Sequence, residues 1–135
     1  MLDFMRKFDY FTMKNEIEDS GLAYDNVGRS WLCRNLYCLR IGTGPKKLLF
    51  LADYAANDYP CGQYLLRWAQ ELGAAAERGG SYMNYNVKNL CAKNSIYILP
   101  MPNPDGVDLV VNGLQNNNPF YERVKKINPS LNFSD

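Results

Sequence analysis

Two carboxylates stand five residues apart at the end of an apolar run. They are Asp53 and Asp58, in Leu48-Leu49-Phe50-Leu51-Ala52-Asp53-Tyr54-Ala55-Ala56-Asn57-Asp58-Tyr59. In open α/β folds ligands bind outside the carboxyl ends of strands, so residues 54–59 are where a site is expected. A carboxylate pair there would suit general acid–base work. The spacing favours a plainer reading, two solvated loop acids near a helix N-terminus, where the dipole welcomes negative charge. The chain contains no histidine. That excludes histidine general bases, Ser-His and Cys-His nucleophile pairs, and any zinc site that needs imidazole.

The remaining reactive side chains read more simply. Cys33, Cys38, Cys61 and Cys91 form no CxxC pair and show no metal-ligand spacing. Cys33 and Cys38 fall in one strand region, on opposite faces if the strand is regular. All four read as small buried thiols of a reducing compartment. Asn103 and Asp105 read as turn formers that satisfy local backbone N–H groups. Arg29 and Arg34 have the chemistry to grip a carboxylate. Lys46-Lys47, after Gly42-Thr43-Gly44-Pro45, lack the ending of a phosphate-binding loop and read as a wet strand entrance. Tyr82, Tyr85 and Tyr97 have no basic patch beside them, so packing is favoured over a stacking surface for sugar or nucleic acid.

Composition narrows the partners. Fifteen Lys and Arg against 14 Asp and Glu leave a net charge of +1, which gives no electrostatic case for nucleic acid or an anionic membrane. No apolar run approaches a membrane span, and Met1-Leu2-Asp3-Phe4-Met5-Arg6-Lys7 lacks the apolar core of a signal peptide. The expectation is a soluble, cytoplasmic protein with no nucleic-acid or membrane partner.

The elements that must position these residues follow from periodicity. Residues 3–19 predict a helix, with Phe4, Phe8, Phe11 and Met13 inward and Gly21 in a left-handed position after its end. A β-hairpin region begins at Val27, and residues 36–41 form its second strand. Residues 48–52 predict a short strand buried on both faces. Pro60 suits the first turn of a helix over 61–76, whose apolar stripe is Leu65, Trp68, Ala69, Leu72 and Ala76. Gly79-Gly80 stops it. Residues 81–88 read as loop or short helix, 95–101 as a buried strand, 102–106 as a sharp turn and 120–127 as a short helix. The order helix, hairpin, strand, helix, strand, helix predicts an α/β sandwich.

Several separated motifs then fall into one pattern. Gly28-Arg29-Ser30 with Arg34 resembles the GxSxxGR opening of zinc carboxypeptidases of the carboxypeptidase A type, with Cys33 in place of the second glycine. Residues 46–51 resemble that family's central strand, and residues 52–59 its G-x-H-x-x-E-W metal loop. Ile98-Leu99-Pro100-Met101-Pro102-Asn103-Pro104-Asp105-Gly106 resembles its PmvNPDG segment. Val107-Asp108-Leu109-Val110 is most similar to the bacterial branch, which includes γ-D-glutamyl-diamino acid peptidases that cut cell-wall peptides. The resemblance spans residues 9–135.

The resemblance implies a three-layer α/β/α sandwich around a mixed sheet, with residues 1–135 forming one partial domain, truncated relative to the family. It also implies one zinc held by two histidines and a glutamate, with an open position for water, which the metal activates while a distant glutamate handles protons. In this chain the histidine position falls on Ala55 and the glutamate position on Asp58. Tyr54 fits the histidine position only if the spacing to Asp58 is broken. Alanine has no donor atom, and a lone Asp58 carboxylate does not hold zinc against water. The second histidine, the substrate-binding Asn-Arg pair, the tyrosine and the catalytic glutamate belong to the family's second half, and residues 132–135 fall about where the loop leading to them is expected.

The lineage is therefore peptide hydrolysis, with no zinc expected on this chain, no catalytic residue assigned and Asp58 as a residual carboxylate. A pseudoenzyme is the first expectation. A non-catalytic module for peptides or muropeptides is the second, and a fragment of a split metallopeptidase gene is the third. Half a sandwich should also expose a sheet edge and apolar faces, and so favour self-association.

Overall fold

The structure is a computed structural model that describes residues 7–127 and 129. The first helix, α1 (Tyr10–Asp19), is capped by Asp9, whose side chain accepts from the Thr12 backbone N–H at 2.8 Å. It buries Tyr10, Met13 and Ile17 on one stripe. Phe8 packs inward just before the helix. Phe11, expected inside, is 60% exposed because it lies off that stripe. Phe4 lies outside the described residues. Gly21 takes the expected left-handed backbone, at φ 71°.

Three strands follow: β1 (Ala23–Arg29), β2 (Asn35–Ile41) and β3 (Lys46–Leu51). A single 3-10 turn, Ala56–Asp58, leads into α2 (Pro60–Glu77), with Pro60 in the first turn as expected. Residues 81–88 hold a two-stranded hairpin, β4 (Ser81–Tyr82) with β5 (Tyr85–Asn86), and the start of α3 (Val87–Lys93). Then come β6 (Asn94–Leu99), α4 (Pro104–Asn112) and α5 (Tyr121–Ile127). The main sheet has the order β1-β2-β6-β3. β1–β2 and β2–β6 are antiparallel and β3–β6 is parallel, so the fold is α/β with a mixed sheet.

Side chains alternate across the sheet. Leu39, Ile41, Ile96 and Ile98 project to one face and join a core with Leu66, Ala69 and Leu72 of α2, Met13 and Ile17 of α1, Val107 of α4 and Val87 of α3. Of the expected α2 stripe, Ala69 and Leu72 are buried, and its other members are displaced by their neighbours Leu66 and Ala75. Leu66, Ala69, Leu72 and Ala75 are buried, while Leu65, Trp68 and Ala76 pack at its margin. Phe50 leans on Trp68, ring centroids 5.0 Å apart.

β3 departs from expectation. Among the described residues it pairs with β6 alone and forms an edge of the sheet. Leu49 and Leu51, on the face away from α2, are 62% and 54% exposed. A continuous apolar run reads as a doubly buried strand only when both neighbours and both covering layers are present. The cysteines are also corrected. All four are free, but only Cys38 is buried; Cys33 and Cys61 are exposed. Cys33 is not in a strand and belongs to the turn between β1 and β2. Among the described residues no helix is long and apolar enough to cross a membrane.

Candidate functional site

The site is built where β3 and β6 end. Two loops leave those ends side by side: residues 52–59 after β3, and residues 100–103 leading into α4. Asn103 joins them. Its side-chain oxygen caps α4 by accepting from the Gly106 N–H at 3.1 Å, and its amide nitrogen donates to the Tyr54 carbonyl at 3.2 Å. Pro104 occupies the first turn of α4, where a missing N–H costs nothing. The Pro-Asn-Pro segment expected to be only a turn is therefore the cap of a helix.

Asp105 was read as a local turn former. The structure shows a long-range role instead. Its carboxylate accepts from the Ser30 hydroxyl, the Leu32 N–H and Arg34 Nη1, each at 2.9 Å. Arg34 Nη2 reaches Asp108 at 2.7 Å, and the guanidinium lies 5.7 Å from the centroid of the Tyr10 ring. Arg34 thus grips carboxylates of its own chain, while Arg29 is exposed. Half-buried, charge-assisted bonds of this kind are stronger than neutral ones. They tie the β1–β2 turn to the N-terminus of α4. Cys33 completes that turn at φ 61°, a left-handed conformation that costs a non-glycine residue roughly 1–2 kcal/mol.

Asp53 is the least expected residue. Read as a solvated loop acid, it is 2% exposed. Its backbone is also left-handed, at φ 47°. One oxygen accepts from the Gly62 N–H at 2.6 Å in the first turn of α2, and the other is buried with no hydrogen-bond partner. Burial pushes its pKa up to about 7, against the lowering effect of the Gly62 N–H and with a smaller push from the Asp58 charge. Gly62 is required here, because a Cβ would collide with the Asp53 carboxylate and come within 2.6 Å of the Pro100 carbonyl. The helix-terminus part of the expectation holds for Asp53; the solvation part does not. Asp58 is exposed, as expected.

Ala55 and Asp58 sit together on the outside of this loop. Both are exposed, and the Asp58 N–H donates to the Ala55 carbonyl at 2.9 Å. Tyr82 and Tyr85 pair across the small hairpin while Tyr97 belongs to the main sheet, so the three tyrosines do not share a sheet. Tyr82 donates to Glu71 at 3.1 Å. Lys46 and Lys47 are exposed at the strand entrance.

A family model described as zinc carboxypeptidase matches residues 10–133. The chain belongs to the zinc carboxypeptidase family. It is 26% identical over 113 residues to gamma-D-glutamyl-L-diamino acid endopeptidase 1 of Lysinibacillus sphaericus, covering 80% of this chain and 28% of that protein. It is 33% identical over 89 residues to the uncharacterized protein YqgT of Bacillus subtilis (strain 168), covering 64% of this chain and 24% of that protein. Among solved structures, thrombin activatable fibrinolysis inhibitor superposes with a TM-score of 0.60 at 15% identity, covering 86% of this chain and 32% of that one. A metallo-carboxypeptidase from Burkholderia cenocepacia gives 0.57 at 18% identity, covering 81% and 29%. The chain thus spans about a quarter to a third of the length of these relatives.

Two non-glycine residues of the segments that carry the resemblance, Cys33 and Asp53, have the left-handed backbone that favours glycine, at φ 61° and 47°. The family implies a zinc ion, and the donor set does not fit one. The chain has no histidine. Among the described residues, no group of three His, Cys, Asp or Glu side chains is placed to hold a metal.

Proposed function

We propose that this chain is a zinc carboxypeptidase-family scaffold that has no peptidase activity of its own, a pseudoenzyme at its metal loop. Ala55 carries this reading. It is the residue at the histidine position, three before Asp58, in a chain without histidine. A methyl group donates nothing, and Asp58 offers one carboxylate at most, which is too little to hold zinc against water. A second polypeptide supplying further ligands, as in a split gene, would still meet a methyl group at Ala55. The four free thiols fit a reducing compartment, and the cytoplasm is the location proposed with it.

A second reading is a non-catalytic module for peptides or cell-wall peptides. It is supported by two hydrogen bonds that hold this loop: Asn103 on the Tyr54 carbonyl and Asp53 on the Gly62 N–H. The Lysinibacillus sphaericus relative, named for γ-D-glutamyl-L-diamino acid peptides, suggests the ligand class.

Incubation with zinc and either C-terminal or γ-D-glutamyl peptides should leave the substrates intact. Chelator-sensitive hydrolysis would overturn the pseudoenzyme reading. For the module, muropeptide titration should shift the amide resonances of residues 54–59. A flat titration through the millimolar range would remove it.

A further inference from the structure

α2 begins without a cap from its own flank. Tyr59, the residue before Pro60, makes no side-chain bond to the helix, and proline has no N–H to offer. The capping bond comes from nine residues back, where Asp53 Oδ1 accepts from the Gly62 N–H at 2.6 Å. The other oxygen, Oδ2, is buried and has no partner among the described residues. It crowds the same side of Gly62 as the carbonyl oxygen of Pro100, a buried residue directly after β6. Two oxygens crowded in a dry site repel each other unless one carries a proton, and a neutral carboxyl has one O–H to donate. Asp53 also keeps a left-handed backbone, at φ 47°. A non-glycine residue holds that conformation only while its surroundings enforce it.

We propose that Asp53 is a proton-controlled clasp: as a neutral acid it fastens the loop after β3 to α2 and to the end of β6, and loss of its proton to solvent releases residues 54–59. With the proton on Oδ2, the Pro100 carbonyl is the acceptor at hand, and Oδ1 still accepts from Gly62. Without it, a buried anion stands against a carbonyl oxygen, and opening the loop to water relieves both the charge and the backbone strain. Charge around the site works in the same direction. Asp58 of the 3-10 turn raises the Asp53 pKa further, and among the described residues no lysine or arginine acts on it. Asp105, at the start of α4, is held by Arg34. Residues 100–103 carry no titratable side chain, and the others near Asp53 in sequence are Tyr54, Tyr59, Cys61 and Tyr64. Burial lifts the Asp53 pKa to about 7, so the clasp is closed below that pH and opens as pH rises through it. This inference is independent of whether the loop holds zinc or a peptide.

Carbon-13 NMR of the 135-residue chain should find the Asp53 carboxyl carbon titrating with a midpoint near 7. Amide exchange of residues 54–59 and Gly62, corrected for the intrinsic rate, should rise about tenfold between pH 6 and pH 8. That exchange should be insensitive to low urea, as a local opening is, while exchange in β2 responds to it. Asp53→Asn keeps an acceptor for Gly62 and puts a permanent donor beside Pro100, so its loop exchange should be flat from pH 6 to pH 8. If that variant fails to fold, the carbon titration and the urea dependence of the wild type still decide. The proposal is overturned by a carboxyl midpoint in the ordinary carboxylate range, by loop exchange that ignores pH, by loop exchange as steep in urea as that of β2, or by a folded Asp53→Asn variant that keeps the rise.

Discussion

Asp53, in the loop that follows β3, holds a buried carboxyl oxygen that no donor among the described residues satisfies. Its pKa is raised from an ordinary 3.8 to about 7, so the folded protein binds this proton more tightly than the unfolded chain does. Between about pH 4 and pH 7 the native state therefore holds more protons, and stability falls as pH rises across that window, by up to about 4 kcal/mol. Asp53→Asn keeps a side chain that tolerates left-handed backbone and removes the charge. Urea denaturation should find it more stable than wild type at pH 8 and close to it at pH 4; parallel pH profiles would show that Asp53 is not the source. Cys33→Gly tests the other left-handed position. Relief of strain, less the entropy of glycine, should stabilise by about 0.5–1 kcal/mol, seen as a melting temperature a few degrees higher.

At the scale of elements, the β1–β2 turn and α4 stand together through Arg34, Asp105 and Asp108. Arg34→Lys keeps the charge but cannot fork across two carboxylates, and should cost about 2 kcal/mol of stability. A double-mutant cycle with Asp105→Asn should give a coupling of about 1 kcal/mol or more; additive costs would mean that the two motifs do not act through each other. Much of this architecture was legible in the sequence. Pro60 opened α2, Gly21 closed α1, and the apolar residues of β6 gave a buried strand. α4 was missed because Pro102-Asn103-Pro104 reads as a breaker, although Asn103 followed by Pro104 is also a cap followed by a first helical residue. The exposure of β3 was missed because an apolar run records what a strand can bury, not which neighbours it has. Asp53 was missed because nothing in an isolated acid announces burial.

Over the whole molecule, the family is shown, and the loss of its chemistry is our proposal. The GxSxxGR-like and NPDG-like segments meet in space and brace each other, through Ser30, Leu32 and Arg34 on Asp105. Two hydrogen bonds hold the loop after β3, from the Gly62 N–H to Asp53 and from Asn103 to the Tyr54 carbonyl. The most direct test is calorimetric titration of the 135-residue chain with zinc. The account predicts no saturable one-to-one binding for the wild type, and none for Ala55→His alone, since one imidazole and one carboxylate fall short of the three protein ligands of a catalytic zinc site. Tight one-to-one zinc binding by the unaltered chain would contradict it.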